Sequence, residues 1–236
     1  MDIYNEVLIV KWIKFKKVVK NGKKIYNNHK FNWYNISILG MKEGDIMKIA
    51  VISDLHGNLK ALGYFINYID KEKIETVLNL GDILGGLNPI EALRIIKKDK
   101  RFINVCGNHD KELEFLKDNL TKDDIEFLKG IPLSRVFECF DKKFLMVHSR
   151  KNSNKDIPVL YNEGNLMEFL TDYEGEWDYV LFGHTHYQCY LSFYDGKVMI
   201  NPGSLGLSYD NKISFAIITI EKDEFNLEFK KIKNWE

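Results

Sequence analysis

Met47-Lys-Ile-Ala-Val-Ile-Ser-Asp-Leu-His-Gly-Asn58 is the stretch whose reading decides the fold. Its first half is apolar apart from Lys48 and far too short to cross a bilayer, so it reads as a buried β-strand. The run then switches abruptly to Asp54, His56 and a Gly-Asn turn. Asn58 is a helix cap, and beyond it Leu59, Leu62, Ile66 and Ile69 fall on one helical stripe. Strand, polar loop and helix in that order open an α/β unit.

The same punctuation recurs along the chain. Thr76–Leu80 reads as a strand ending in Gly81-Asp82, followed by a helix over Pro89–Lys97 with proline in its first turn. Phe102–Val105 leads into Gly107-Asn108-His109-Asp110, and Phe144–Val147 into His148. Tyr179–Phe182 ends in Gly183-His184-Thr-His186, and Val198–Ile200 in Asn201-Pro-Gly-Ser204. Lys111–Asn119 and Lys122–Leu128 read as helices, as does a stretch near Asn165–Thr171. Val136–Phe140, Cys189–Phe193, Ile213–Ile220 and Phe225–Lys231 read as further strands. A βαβ-rich front and a strand-rich back predict two sheets with helices outside.

Sheets of this kind deliver functional groups where loops leave the strand C-termini, so six polar clusters are expected to converge. Five of the six histidines lie in these clusters. Taken singly the clusters are weak: Asp54 is ordinary turn chemistry, Gly81-Asp82 likewise, His148 a core histidine, Asn201–Ser204 a β-turn. Taken together they are a donor set for two metal ions. Asp54, His56, Asp82, Asn108, His148, His184 and His186 offer imidazole, carboxylate and amide groups suited to Mn²⁺, Fe or Zn²⁺. Asp82 is placed to bridge two ions, and the neutral Asn108 keeps the pair electropositive enough to hold a phosphate.

Composition excludes other classes. The 236 residues are 45 % apolar and 13 % aromatic, enough for a packed core. The three cysteines, Cys106, Cys139 and Cys189, form no C-x-x-C pair, which argues against a disulfide framework or thiolate zinc. They predict a reducing, cytoplasmic setting, and the longest unbroken apolar runs, such as Phe144–Val147 and Tyr179–Phe182, are too short for a membrane span. The net charge of zero hides a split. Residues 1–46 hold nine lysines against four acids, and the remainder holds 25 basic against 30 acidic side chains.

Residues 1–46 therefore read separately, as a basic extension ahead of a domain over 47–236. Lys42-Glu43-Gly44 back-translates to a purine-rich stretch just before the codon of Met47. The expectation is that this is a translated ribosome-binding site and that Met47 is the native start. The rival is a genuine basic arm, with Asn21-Gly22 as a hairpin turn and lysines interleaved with aromatics able to contact nucleic acid.

In order and content, Ser53-Asp-x-His-Gly-Asn58, Gly81-Asp82, Gly107-Asn108-His109-Asp110, His148, Gly183-His184-x-His186 and Asn201-Pro-Gly-Ser204 resemble the calcineurin-like metallophosphoesterase superfamily. The likeness runs from Met47 to the C-terminus and is strongest for its small bacterial and archaeal phosphodiesterase-type branch. It implies an α/β fold, a four-layer α/β/β/α sandwich of two mixed sheets flanked by helices. It also implies two divalent ions, Mn²⁺ first and Fe, Zn²⁺ or Ni²⁺ as alternatives. One ion would be held by Asp54, His56, Asp82 and His186, the other by Asp82, Asn108, His148 and His184. His109 would be the catalytic acid and Asp110 its orienting partner, with a hydroxide between the metals attacking phosphorus. The implied substrate is a small or nucleotide-like phosphodiester or monoester.

The chain departs from the family's patterns in three places. Gly81–Gly86 lacks the phosphate-clamping arginine of the Ser/Thr-phosphatase branch; Ser149 follows His148 where the small branch commonly has glycine; and no basic residue closely follows Asn201–Ser204. Two further functions fit the same resemblance. One is a non-catalytic protein-binding scaffold like a retromer subunit, which the presence of His109 opposes. The other is a nuclease, which the acidic 47–236 segment opposes, so nucleic acid is not expected as a partner. Residues 151–176 are expected to cap the site.

Overall fold

The computed structural model describes residues 8–9, 34–38, 45–116, 118–150, 153–154, 173, 175, 177–193, 196–221 and 224–233. The expected Asn21-Gly22 hairpin, the helix near Asn165–Thr171 and most of the expected cap lie outside them.

One sheet is built from β3 (Ile46–Ile52), β4 (Thr76–Asn79), β5 (Phe102–Asn104), β11 (Lys212–Glu221) and β12 (Glu224–Lys233), in the order β12-β11-β3-β4-β5. Strands β3, β4 and β5 are parallel, as their helical crossovers require, and β11 and β12 are antiparallel additions. The second sheet centres on β6 (Ser134–Cys139), β7 (Lys142–Val147), β8 (Tyr179–Leu181), β9 (Gln188–Ser192) and β10 (Val198–Pro202), ordered β9-β10-β8-β7-β6. Two short strands upstream of Met47, β1 (Leu8–Ile9) and β2 (Tyr34–Ile38), pair at its two edges, against β9 and β6. The five central strands all come from residues after Met47. Both sheets are mixed, and together with their helices they make the expected α/β sandwich.

Period-two alternation distributes each strand between layers. On β3, Met47, Ile49 and Val51 point toward the second sheet, and Ala50 and Ile52 toward the helices. On β7, Phe144 and Met146 fill the inter-sheet core, while Leu145 and Val147 join Tyr173, Val180, Phe182 and Met199 on the outer face. The helices α1 (Leu59–Lys71), α2 (Pro89–Lys98) and α3 (Lys122–Gly130) cover the first sheet. All three cysteines are buried thiols. No helix among the described residues is long and apolar enough to cross a membrane.

Two local readings need correction. The buried face of α1 is Ala61, Leu62, Phe65 and Ile69, with Leu59 and Ile66 at its margin, so the stripe is rotated from the expected one. The aromatic at Phe65 takes the deepest position because it packs against Phe102 and Phe215. The expected helix over Lys111–Asn119 is instead two single 3₁₀ turns, His109–Lys111 and Leu113–Phe115. Glu112 between them leaves the helical region at ψ 59°, and Leu113 and Leu116 then reach the core beneath the helices.

Helix α3 starts at a capping box in which Thr121 Oγ1 accepts from the Asp124 N–H and Asp124 accepts from the Thr121 N–H. The buried Asp124 also receives Arg94 and Lys97 from α2, tying the two helices. Thr121→Ala should therefore lower the unfolding free energy by about 1 kcal/mol. A urea midpoint identical to that of the unmodified protein would refute this role.

Candidate metal centre

Every expected ligand lies at or just beyond a strand C-terminus, and both sheets present these ends on one side. Asp54 and His56 follow β3, Asp82 follows β4, Asn108 follows β5, His148 follows β7, and His184 and His186 follow β8. The structure brings the imidazole and carboxylate donors together in three overlapping sets. Asp54, His56 and His186 form one, Asp82, His148 and His184 a second, and His56, Asp82 and the rim residue His109 a third that joins them; within each set all ligand atoms lie within 4.8 Å of one another.

The backbone is strained to achieve this. Five of the seven residues sit in the left-handed region, at φ 55° (Asp54), 48° (His56), 56° (Asp82), 64° (His184) and 61° (His186). Eight described non-glycine residues have positive φ, so most of that strain is concentrated at this site. Strain of order 1–3 kcal/mol per residue persists only where the surroundings over-determine the conformation. Close packing helps to impose it: a Cβ on Gly107 would lie 2.0 Å from Asp82 Oδ1, and one on Gly183 2.9 Å from Asp54 Oδ2.

Each carboxylate has one oxygen committed to the backbone and the other aimed inward. Asp54 Oδ2 accepts the His184 N–H at 3.0 Å, and Asp82 Oδ1 accepts the His109 N–H at 2.9 Å. The imidazoles are oriented from behind. His148 Nδ1 donates to Leu80 O at 2.8 Å and His186 Nδ1 to Leu207 O at 2.6 Å, which leaves both Nε2 lone pairs facing the centre.

The inward atoms suit a cation and little else. Asp54 Oδ1 is buried without a hydrogen bond, although His186 Nε2 stands 3.3 Å away, His56 Nε2 3.9 Å and His148 Nε2 4.0 Å. His148 Nε2 lies 3.1 Å from Asn108 Oδ1, 3.1 Å from His184 Nδ1 and 3.4 Å from Asp82 Oδ2. Acceptors aimed at acceptors in a buried space need a proton or a metal ion between them. The residues present fit the group that the sequence implies.

Without metal, protons take that part. Burial would depress His148, but the hydrogen bond with Asp82 and the charges of Asp54 and Asp82 push it up to about 9. Burial would likewise raise Asp54, but His186 Nε2 only 3.3 Å away and the positive charges of His148 and His186 hold it at about 2. His56 and His184 are lowered, chiefly by burial. With the folded His148 value above its ordinary 6.5, its contribution to the metal-free fold is complete below pH 6.5 and lost as pH rises through about 9. A metal competes for the same lone pair, so Mn²⁺ affinity should climb from pH 6.5 to about 9 with proton release on binding. Calorimetry in buffers of different ionisation enthalpy measures both; a pH-independent affinity would contradict the assignment.

Asp110 differs from its expected place beside the His109 ring. Its Oδ2 accepts from the Asp82 and Gly107 N–H groups and its Oδ1 from Leu84 N–H, each at 2.9 Å. It fastens the β4 loop to the β5 loop and so acts on Asp82. The His109 ring packs edge-on against His56 at 5.1 Å, and its Nδ1 faces Glu112 at 3.4 Å. Its side chain is 42 % exposed, at the rim of the centre.

Asn201 and Ser204, expected among the converging clusters but given no role there, brace the centre. Asn201 Nδ2 donates to Gly183 O and Thr185 Oγ1, and Ser204 Oγ donates to Asp54 O. They clamp the loops bearing His184, His186 and Asp54, a role that their reading as a turn could not carry. Asn154, buried, donates to Gly107 O at 2.7 Å, and no sequence signal marks it.

A model of the calcineurin-like phosphoesterase superfamily domain matches residues 47–223. An uncharacterised protein of Methanocaldococcus jannaschii, MJ0912, is 30 % identical over 219 residues, spanning 78 % of this chain and 87 % of its own. Phosphodiesterase MJ0936 of the same organism is 26 % identical over 189 residues, spanning 76 % of this chain and 96 % of its own. Among solved structures, the metallophosphoesterase from Sphaerobacter thermophilus has a TM-score of 0.63 at 21 % identity, covering 80 % of this chain and 89 % of its own.

Proposed function

The chain belongs to the calcineurin-like phosphoesterase superfamily, and on that premise we propose that it is a dinuclear metal-dependent phosphoesterase acting on phosphodiesters or monoesters, with the relative named a phosphodiesterase supporting the diester as the first substrate to test. The observation that carries this reading is the pair of adjoining donor sets, with acceptors facing acceptors at 3.1 Å, beside an exposed-edge histidine. Asp54, His56, Asp82 and His186 would hold one ion and Asp82, Asn108, His148 and His184 the other. Divalent ions bound there, Mn²⁺ first and Fe, Zn²⁺ or Ni²⁺ as alternatives, would polarise the phosphoryl oxygens and lower the pKa of coordinated water.

The chain's own residues do the rest. Asp82 serves both sets, because its Oδ2 lies 3.4 Å from His148 Nε2 and 3.7 Å from His56 Nε2. Its Oδ1 fixes the backbone of His109, so the rim imidazole is held in register with the centre. A protonated His109 there gives its proton to the departing ester oxygen. Asp110 keeps the loops of Asp82 and Gly107 locked together while this happens.

Hydrolysis of bis(p-nitrophenyl) phosphate and p-nitrophenyl phosphate by the Mn²⁺-loaded protein tests the proposal. The diester should turn over faster, and chelation should stop both reactions. Bound metal with no hydrolysis of either ester would overturn the enzyme reading in favour of a protein-binding scaffold.

A further inference from the structure

Seven large apolar side chains among the described residues are strongly exposed, and four of them lie on loops that carry or orient the candidate ligands. Leu87 (91 % exposed) follows Asp82, Tyr187 (61 %) follows His186 directly, and Leu207 (55 %) and Tyr209 (70 %) lie on the loop joining β10 to β11. Single exposed apolar residues need no explanation, but grouped ones beside a site do.

Tyr187 and Tyr209 are stacked, with ring centroids 4.8 Å apart at an interplanar angle of 16°. Tyr209 is also 5.7 Å from the His186 ring. Its loop is tied down on both sides. Leu207 O accepts from His186 Nδ1, and Leu207 N–H donates to Ser204 Oγ at 2.8 Å. Beyond it, Lys212 N–H donates to Ser208 Oγ at 2.8 Å, and Asp210 pairs with Lys231 at 2.6 Å. A π-surface is thus held rigidly at the edge of the centre, with its ordering cost already met by the fold. The loop carries no basic residue between Ser204 and Lys212, so it offers a substrate stacking rather than charge.

We propose that Tyr187 and Tyr209 form a stacking platform for the nucleobase of a nucleotide phosphoester whose phosphate lies at the adjoining metal centre. The inference rests on the phosphoesterase reading and narrows its substrate class. A purine or pyrimidine presents a flat π-face to an exposed tyrosine at small entropic cost, and such stacking is sequence-tolerant.

AMP, which carries adenine in place of the anomeric hydroxyl of ribose 5-phosphate, and ribose 5-phosphate itself are the probes. Calorimetry on the Mn²⁺-loaded protein should give AMP an affinity about tenfold or more above that of ribose 5-phosphate. Tyr209→Ala should cut this ratio to about threefold or less, and Tyr209→Phe should preserve it. Tyr64→Ala, at an exposed aromatic of α1 that belongs to no donor set and not to the stack, should leave the ratio as it is. Equal affinities in the unmodified protein, or an AMP preference that survives in the Tyr187→Ala/Tyr209→Ala double variant, would overturn the platform while phosphodiester hydrolysis continued. A change in sedimentation with no change in the ratio would also overturn it and mark the patch as a contact between copies of the chain. Binding of neither probe together with no hydrolysis of any ester would remove the phosphoesterase reading itself, and the platform with it.

Discussion

Asp82→Ala is expected to retain no more than a thousandth of the hydrolytic rate and to lose bound metal. This one side chain contacts both donor sets through Oδ2 and the His109 backbone through Oδ1. Its removal leaves His148, His184 and Asn108 as three neutral donors with no charge to offset a divalent ion. A fold defect is the competing explanation, because alanine at φ 56° costs about 1–2 kcal/mol. Asp82→Asn separates the two: asparagine tolerates that backbone conformation and keeps the shape, yet loses the charge. It should fold normally, bind metal weakly and be nearly inactive. A metal-free Asp82→Ala protein with full activity would end the proposed mechanism.

The second large effect is at His109. His109→Ala should keep its metal and lose about 10²–10⁴ in rate, the usual contribution of a positioned proton donor. Truncation spares the contact to Asp82 because that hydrogen bond comes from the main-chain N–H. The ring nitrogen, however, shares a cluster with His56 and Asp82 whose ligand atoms lie within 4.8 Å of one another. Metal analysis of the variant therefore decides between two roles. Unchanged metal with a collapsed rate identifies a proton donor; loss of metal in parallel with rate identifies a ligand.

The fold and the convergence of these loops are legible in the sequence for a physical reason. A buried strand that stops at Ile52 and gives way to Asp54-Leu-His56 cannot hide those polar groups in the core, so the chain must place them at the sheet's edge. Repeating that pattern after Asn79, Asn104, Val147 and Leu181 left one geometry in which the loops meet. The alternation along β3 and β7 likewise sorted residues between the helix-facing and inter-sheet cores.

What was not readable depends on contacts distant in sequence. Lys111–Asn119 has good helix formers, and local propensity yields there to the pull of Leu113 and Leu116 into the core. Asp110 stands next to His109 in sequence, but its carboxylate serves backbone N–H groups of residues 82, 84 and 107. The left-handed backbone at Asp54, His56, Asp82, His184 and His186 was not readable, because Asp and His enter that region more readily than most residues but adopt it only where distant contacts impose it. The Tyr187–Tyr209 stack joins residues from two separate loops, and neither tyrosine is notable alone.

The most direct test is a Mn²⁺ titration of the metal-stripped protein, followed by the rate of bis(p-nitrophenyl) phosphate hydrolysis. A rate that is negligible without metal and reaches its plateau at two equivalents per chain is the predicted result. A plateau at one equivalent, or hydrolysis that persists undiminished without metal, would contradict a centre built from two donor sets sharing Asp82.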